Sequence, residues 1–468
     1  MSTPLPKRIF GIETEYGITC ASTQGKIPPL DAEDAAQFLF EPIVKTHRST
    51  NAFLPNGARL YLDVGAHPEY ATAECDALSD LLVNDRAGDE IFAQMAAHTN
   101  QQLAEKGIPG EIHLFKKNHD YAGNSFGCHE NYLLRRRRDY RARAESLIPF
   151  FVTRQILVGA GYLFPGREQI RAARFEISQR AAHTFDAVSN SSTRSRPMVN
   201  TRDEPHGDAE LYRRMHVIVG DSNMCEATAA LKITMTEAVL NVLESGARFP
   251  DFTLAYPISA IRQTARDLKG KANIELSAGG KISSLQIQQA YYEKVCEVYA
   301  AEGWFAQLDE TRRYAFELWE RALRALETET YKIIETEIEW IAKYQLLEKY
   351  RERLSCGWDD LRLARIDLAW HDITAGGLRP SLETNGILKR FLDPKLIQVA
   401  QAIPPQTTRA KIRGDFIAAA MDARKDYFAD WQNLKLINSE STQSVTLKDP
   451  FAAENAEVLS LIAEMEGM

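Results

Sequence analysis

The chain has 468 residues, of which 44% are hydrophobic and 26% charged, and its formal net charge is −8. That length admits about three average domains or one large domain with an appendage, and the composition is that of an ordinary soluble globular protein. The negative balance excludes a nucleic-acid-coating protein and a binder of anionic membranes.

In chain order, Met1 to Phe10 holds no apolar core of signal-peptide length. A strand is predicted over residues 8–18, where Phe10, Ile12, Thr14, Tyr16 and Ile18 alternate with Gly11, Glu13, Glu15 and Gly17. A helix follows from an Asp31 cap to Val44, then a second strand over 58–65, with Leu60, Leu62 and Val64 alternating with Arg59, Tyr61 and Asp63. Helical spacing runs from Asp76 to Lys106, and strands are predicted at Glu111–Phe115 and Gly127–Leu134. The most apolar stretch, Leu147 to Phe164, is interrupted by Arg154 and Gln155 and reads as a buried strand or helix, not a membrane span. Residues 165–215 are rich in turn formers and arginine. His216–Gly220 reads as a strand running into an Asp221-Ser222 cap and a helix to Leu243. Helical spacing returns from Ser283 to Leu354 with a break near Gly303, and Asp309–Leu354 reads as a long helix or two collinear ones. After Pro404-Pro405 a compact tail is expected, with a helix at Thr408–Asp422 and a strand-like Trp431–Leu436; this places a boundary near residue 400. Strands interleaved with helices predict an α+β protein whose largely antiparallel sheet is covered by helices on one side.

The six cysteines (Cys20, Cys75, Cys128, Cys225, Cys296, Cys356) form no Cys-x-x-Cys pair and fit a reducing compartment better than a zinc site or a disulfide framework. Side chains two apart on a strand share a face at roughly 6.5–7 Å. The first two strands therefore pack one face on a core and turn carboxylates, a phenol and a guanidinium to the other. Gathered carboxylates repel unless a cation sits between them. Glu69 and Glu74 are expected to be aimed at the same face by a turn at His67-Pro68, and such hard oxygen ligands suit Mg2+. A third strand places His129 and Asn131 together, as metal-site neighbours or as satisfied structural residues. The stretch from Arg194 through Arg196 and Arg202 to His206 could hold a carboxylate or phosphate, or pair locally with Asp203 and Glu204. The run Arg135–Arg138 reads as a solvated strand end. No phosphate loop is visible: Gly279-Gly280-Lys281 lacks the upstream glycine, and Phe164 stands where Gly159-Ala-Gly161 would need its third. Any nucleotide must be held by side chains and metals.

The motifs Gly-Ile-Glu13-Thr-Glu15-Tyr-Gly, Arg59-Leu-Tyr61-Leu-Asp63-Val-Gly-Ala-His-Pro-Glu69-Tyr-Ala-Thr72-Ala-Glu-Cys, Cys-His-Glu-Asn-Tyr and Asn-Thr-Arg-Asp-Glu-Pro-His resemble the Pup–protein ligase family. The resemblance runs from about Arg8 to Phe451. It implies a glutamine-synthetase-like curved antiparallel sheet covered by helices (residues 1–400) and a small C-terminal domain (401–468) completing the nucleotide and Pup-binding region. It also implies an ATP-dependent ligase joining the side-chain carboxylate of the C-terminal glutamate of Pup, a small disordered ubiquitin-like modifier, to a target lysine through a γ-glutamyl phosphate. That would mark proteins for proteasomal degradation. The related deamidase and depupylase branch is disfavoured. Its long extra loop is absent, with 38 residues between Gly17 and Asn56, and Asp63 is followed by Val64-Gly65-Ala66.

By the same resemblance Asp63 is the base that takes a proton from lysine. Glu13, Tyr61 and Glu69 are Mg2+ ligands with Glu15 a further candidate, and Arg59, Thr72 and Trp431 contact ATP. An ordinary aspartate near about 3.9 is a weak base for an ammonium near about 10.4. Either burial must raise the carboxyl's hold on protons or the site must lower the lysine's. A cytoplasmic monomer acting on Pup and lysine-bearing targets is expected, with no nucleic acid and no membrane.

Overall fold

A computed structural model describes residues 3–25, 27–63, 65–166, 172–190, 196–438 and 441–467. The first predicted strand divides at Tyr16 into β1 (Phe10–Glu15) and β2 (Gly17–Ser22). The break falls where the buried Tyr16 hydroxyl donates to Asp89 at 2.7 Å and its amide to the Pro68 carbonyl. After the Ala32–His47 helix, capped by Asp31 accepting from the Asp34 amide, come β3 (Asn51–Phe53), β4 (Arg59–Asp63) and β5 (His67–Ala71). The hairpin between β4 and β5 turns at Gly65 and Ala66, both at positive φ. His67-Pro68 therefore opens a strand and is not the expected turn.

The Leu78–Glu105 helix leads to β6 (Gly110–Phe115), paired with β2, and to β7 (Cys128–Arg135). The apolar stretch after it forms two short helices, Ile148–Thr153 and Gln155–Val158, then β8 (Tyr162–Phe164) against β9 (Arg174–Glu176). No helix is long and apolar enough to cross a membrane among the described residues. Next come β10 (Asp186–Ser189), β11 (Pro197–Asn200) and β12 (Tyr212–Val217), so the strand expected at 216–220 lies earlier. The expected Asp221-Ser222 cap is also displaced, because the helix spans Glu226–Ser245. Asp221 instead accepts from the amides of Ala160, Gln179 and Arg180 and from the Ser178 hydroxyl. The segment leading into the helix is held by Glu339, which accepts from the Met224 and Cys225 amides.

Asp309–Leu354 forms two helices, Glu310–Thr328 and Glu339–Leu354, broken after Glu329 adopts a left-handed conformation. A small ribbon, β13 (Asn273–Glu275) with β14 (Lys281–Ser283), precedes the Ser284–Glu302 helix. The tail holds the Arg409–Asp422 helix, then β15 (Asp426–Ala429), β16 (Asn433–Ile437) and β17 (Thr442–Thr446), and ends with the Ala456–Glu466 helix. Trp431 sits in the turn before β16, not on the strand.

Eight strands form the main sheet in the order β10-β11-β12-β7-β1-β5-β4-β3, antiparallel except for the β10–β11 pair. The α+β architecture with a largely antiparallel sheet is as expected. Phe10, Ile12, Cys128, Tyr132, Met215 and Val217 turn one face to a core shared with the Glu226–Ser245 and Glu310–Thr328 helices. The tail has its own apolar cluster, including Phe416, Leu434, Leu436 and Leu461, which also takes in Phe53 of β3.

Candidate active site

The opposite sheet face is a grid of polar side chains set by strand register. Glu69 stands across from Glu15 on one side and Tyr61 on the other; Ala71 lies between Glu13 and Arg59, and Asp63 faces His67. On the far side of β1, His129 is opposite Glu13, Asn131 opposite Gly11, and His216 opposite Asn131. The alternation read from the first two strands thus extends over five strands.

Two groups of side chains could each hold a cation. Single ligand atoms of Glu15, Asp63 and Glu69 come within 4.8 Å of one another, as do those of Glu13, His129 and His216. Burial pushes the Glu69 carboxyl well up, and the charges of Glu13 and Glu15 push it further. Burial also acts to raise Glu15, yet a 3.3 Å contact with His67 Nδ1 and the charge of His129 hold it at about 2. Glu13 is likewise opposed by burial but held below the carboxylate range by His129, at 3.3 Å, and by the charges of His216 and Arg214. Three carboxylates on rigid strands cannot all ionise without a counter-charge. That crowding fits a hard divalent cation.

Tyr61 donates its hydroxyl to Glu69, and burial with the neighbouring carboxylates raises it far above the ordinary phenol. Arg59 lays its guanidinium over the Tyr61 ring at 3.9 Å and donates to Asn51 Oδ1 at 2.8 Å. Asp63 is exposed at the tip of β4. Burial, the first of the two expected routes to a competent base, is therefore absent at this position.

At the other end of the face a pocket is lined by Gly11, Glu13, Thr72, His206, Arg214 and Trp431, among others. The structure thus brings Thr72 and Trp431 together with Glu13. Thr72 is buried and its hydroxyl accepts from the Ile12 amide at 3.1 Å. Trp431 packs edge-on to Phe53 at 4.9 Å, with the Arg413 guanidinium 5.1 Å from its ring. Glu74 is not part of the acidic group: it pairs with Arg409 at 2.8 Å and with Arg413, fastening the tail to the sheet beyond β5. The two arginines overcome burial and hold it at about 2.

Arg194 lies outside the described residues. Arg202 pairs with Glu204 at 3.4 Å and Asp203 with Arg136 at 2.8 Å, so these members of the loop are surface ion pairs, as is part of the Arg135–Arg138 run. Burial lowers the lining His206 to about 4. Sequence reasoning missed Arg214 and His216, whose period-two spacing on β12 was the available signal. It also missed His67 as a partner of Glu15. His216 is buried, and neither ring nitrogen has a hydrogen-bond partner. Gly127, rather than Gly11 or Gly17, permits the closest approach: a Cβ there would lie 2.7 Å from Glu15 Oε1 and 2.5 Å from His129 Nε2.

An acidic sheet face beside an aromatic-walled pocket is the arrangement of a site that could meet anions with side chains and cations. The profile of the family described as "Pup-ligase protein" matches residues 8–435. Similar proteins include the Pup–protein ligases of Sanguibacter keddieii, 47% identical over 460 residues (98% of this chain, 99% of the relative), and of Geodermatophilus obscurus, 47% identical over 463 residues (98% and 100%). A crystal structure of the complex between the prokaryotic ubiquitin-like protein Pup and its ligase PafA superposes with TM-score 0.91 at 40% identity, covering 98% of this chain and 92% of that one. The Pup ligase PafA in complex with ADP gives TM-score 0.84 at 40% identity, with 95% of each chain covered. The chain belongs to the Pup-ligase family.

Proposed function

We propose that this protein is an ATP-dependent ligase that joins the side-chain carboxylate of the C-terminal glutamate of Pup to the ε-amine of a target lysine, tagging the target for proteasomal degradation. Family membership over nearly the whole chain supports the activity, and relatives solved with Pup and with ADP support the two substrates. The single observation that carries the chemistry is the crowding of Glu13, Glu15 and Glu69 between the Trp431 pocket and Asp63.

Glu13, Glu15, Glu69 and Tyr61 are the side chains to hold Mg2+. Tyr61 would use the oxygen it now directs at Glu69. The ion supplies charge neutralisation of the phosphates in a site otherwise hostile to anions. Trp431 and Thr72 would wall the nucleotide, and Arg59 would face its phosphates. The γ-phosphoryl group passes to the glutamate carboxylate, giving an acyl phosphate and ADP. The lysine amine then attacks the acyl carbon, phosphate leaves, and Asp63 takes the proton. Exposure suits Asp63 to meet a side chain arriving on another protein. The help it needs lies with the lysine, because leaving water weakens an ammonium's hold on its proton.

We further propose residues 401–468 as a small domain completing the nucleotide site, and a cytoplasmic monomer. The separate apolar cluster of the tail supports the first, and the free cysteines fit the compartment. Incubation with ATP, Mg2+, Pup ending in glutamate and a lysine-bearing protein should give a higher-mass conjugate and ADP. Release of Pup from a preformed conjugate without ligation would instead indicate the deamidase branch, and binding without turnover would overturn both.

A further inference from the structure

Buried guanidinium groups in this fold come with carboxylates. Among the described residues seven arginines are buried. Six form ion pairs: Arg8 with Glu244, Arg154 with Glu130, Arg312 with Glu237, Arg379 with Glu226, and Arg409 and Arg413 with Glu74. Arg180, 5% exposed, pairs with no carboxylate among those residues. Its Nη1 donates to Ser125 Oγ at 2.6 Å and to the Phe126 carbonyl at 3.2 Å. Its Nη2 reaches the Ile218 carbonyl only at 3.5 Å, and Nε has no partner. Burying a charge without an opposite charge is costly, so a cation kept this way signals an anion that arrives later.

The position points to which anion. Phe126 packs on His67 with ring centroids 4.6 Å apart, and the adjoining Gly127 lies against Glu15. Arg180 therefore stands toward the Asp63 end of the polar face and does not line the Trp431 pocket. Glu15, Asp221 and Arg196 are near enough for their charges to act on it, the carboxylates without pairing to its guanidinium and Arg196 as a like charge. Two guanidinium groups thus act near the side where the phosphoryl-accepting carboxylate must lie, next to a face that repels carboxylates.

A C-terminal glutamate carries two carboxylates. The side-chain one must meet the phosphoryl group, and the α-carboxylate is left beside Glu15 and Glu69 unless a cation receives it. We propose that Arg180, with Arg196 beside it, holds the α-carboxylate of the substrate's C-terminal glutamate and so selects a chain end over an internal glutamate. The planar guanidinium fork matches that group. This rests on the ligase reading above.

The test compares two Pup peptides, one with a free C-terminal α-carboxylate and one with an α-carboxamide, both keeping the side-chain carboxylate. Wild-type protein should show a KM for the amide raised by about 10- to 100-fold, the size expected of a charge-assisted hydrogen bond. Arg180→Gln should raise the KM for the acid by a similar factor, lose little more on amidation, and keep the ATP KM within about twofold. Arg180→Lys should recover part of the acid preference. Losses that multiply between Arg180→Gln and amidation would overturn the assignment. So would a fall in kcat equal for both peptides, which would place Arg180 on a phosphoryl oxygen or in the scaffold. If Arg180→Gln fails to fold, Arg196→Gln and the wild-type acid-to-amide ratio carry the decision, and a ratio near one refutes it. Wild-type protein that conjugates neither peptide would refute the proposed function itself, whereas conjugation of both with equal KM refutes only this inference.

Discussion

Glu74→Gln removes one charge and keeps the shape. Glu74 is the carboxylate for both Arg409 and Arg413, which are 2% and 0% exposed. Taking away one side of a buried ion pair costs about 3–5 kcal/mol, since the other side is left charged and dry. Proton linkage gives a second figure. The Glu74 carboxyl falls from 4.5 to about 2, its burial outweighed by the two arginines, and such a fall corresponds to about 3 kcal/mol at neutral pH. The two figures agree in size. Because the folded value is depressed, this stability is fully present above about pH 4.5 and is lost as pH falls toward about 2. Urea titrations of wild type and variant should therefore differ by about 3 kcal/mol at pH 7 and converge at low pH. Amide hydrogen exchange should show early opening over residues 409–467 of the variant. Equal stability at pH 7, with unchanged exchange in that segment, would refute the claim that Glu74 fastens the tail.

Three further substitutions probe the face itself. Asp63→Asn should retain ATP binding and lose conjugation by about 10²- to 10⁴-fold; conjugation at the normal rate would remove Asp63 as the base. Glu13→Ala should abolish Mg2+-dependent nucleotide binding, measured by calorimetric titration, and unchanged affinity would exclude it as a ligand. Trp431→Ala should raise the ATP KM by about tenfold through the lost aromatic wall; an unaltered KM would show that the base packs elsewhere.

The polar face was legible because period-two alternation needs only neighbouring residues: Glu13 and Glu15 on β1, and Arg59, Tyr61 and Asp63 on β4, declare their side by what lies between them. Arg214 and His216 obey the same rule, but β12 follows an arginine-rich stretch in which polar residues fall on both faces and mask the period. What depends on distant partners was not legible. In sequence Asp221 reads as a local cap, yet its carboxylate serves amides near residues 160 and 180, and Glu339 holds the segment that leads into the helix. In sequence Glu74 reads with Glu69 because only four residues separate them, but two arginines in the tail draw it away. Asp63's exposure was equally out of reach, since burial depends on what packs above a strand.

The hairpin of β3 and β4 carries Arg59, Tyr61 and Asp63, yet its outer strand and its turn pack against the tail. Phe53 lies in the apolar cluster of the tail, and the Gly57 carbonyl accepts from Arg413, 356 residues later. At about 5–20 residues per second of synthesis, the hairpin leaves the ribosome about 20–70 s before the segment that covers it. Until then Phe53 is bare on β3, the edge strand that flanks the one bearing these groups. A product truncated before the tail would therefore present bare Phe53 on the sheet's edge strand to chaperones.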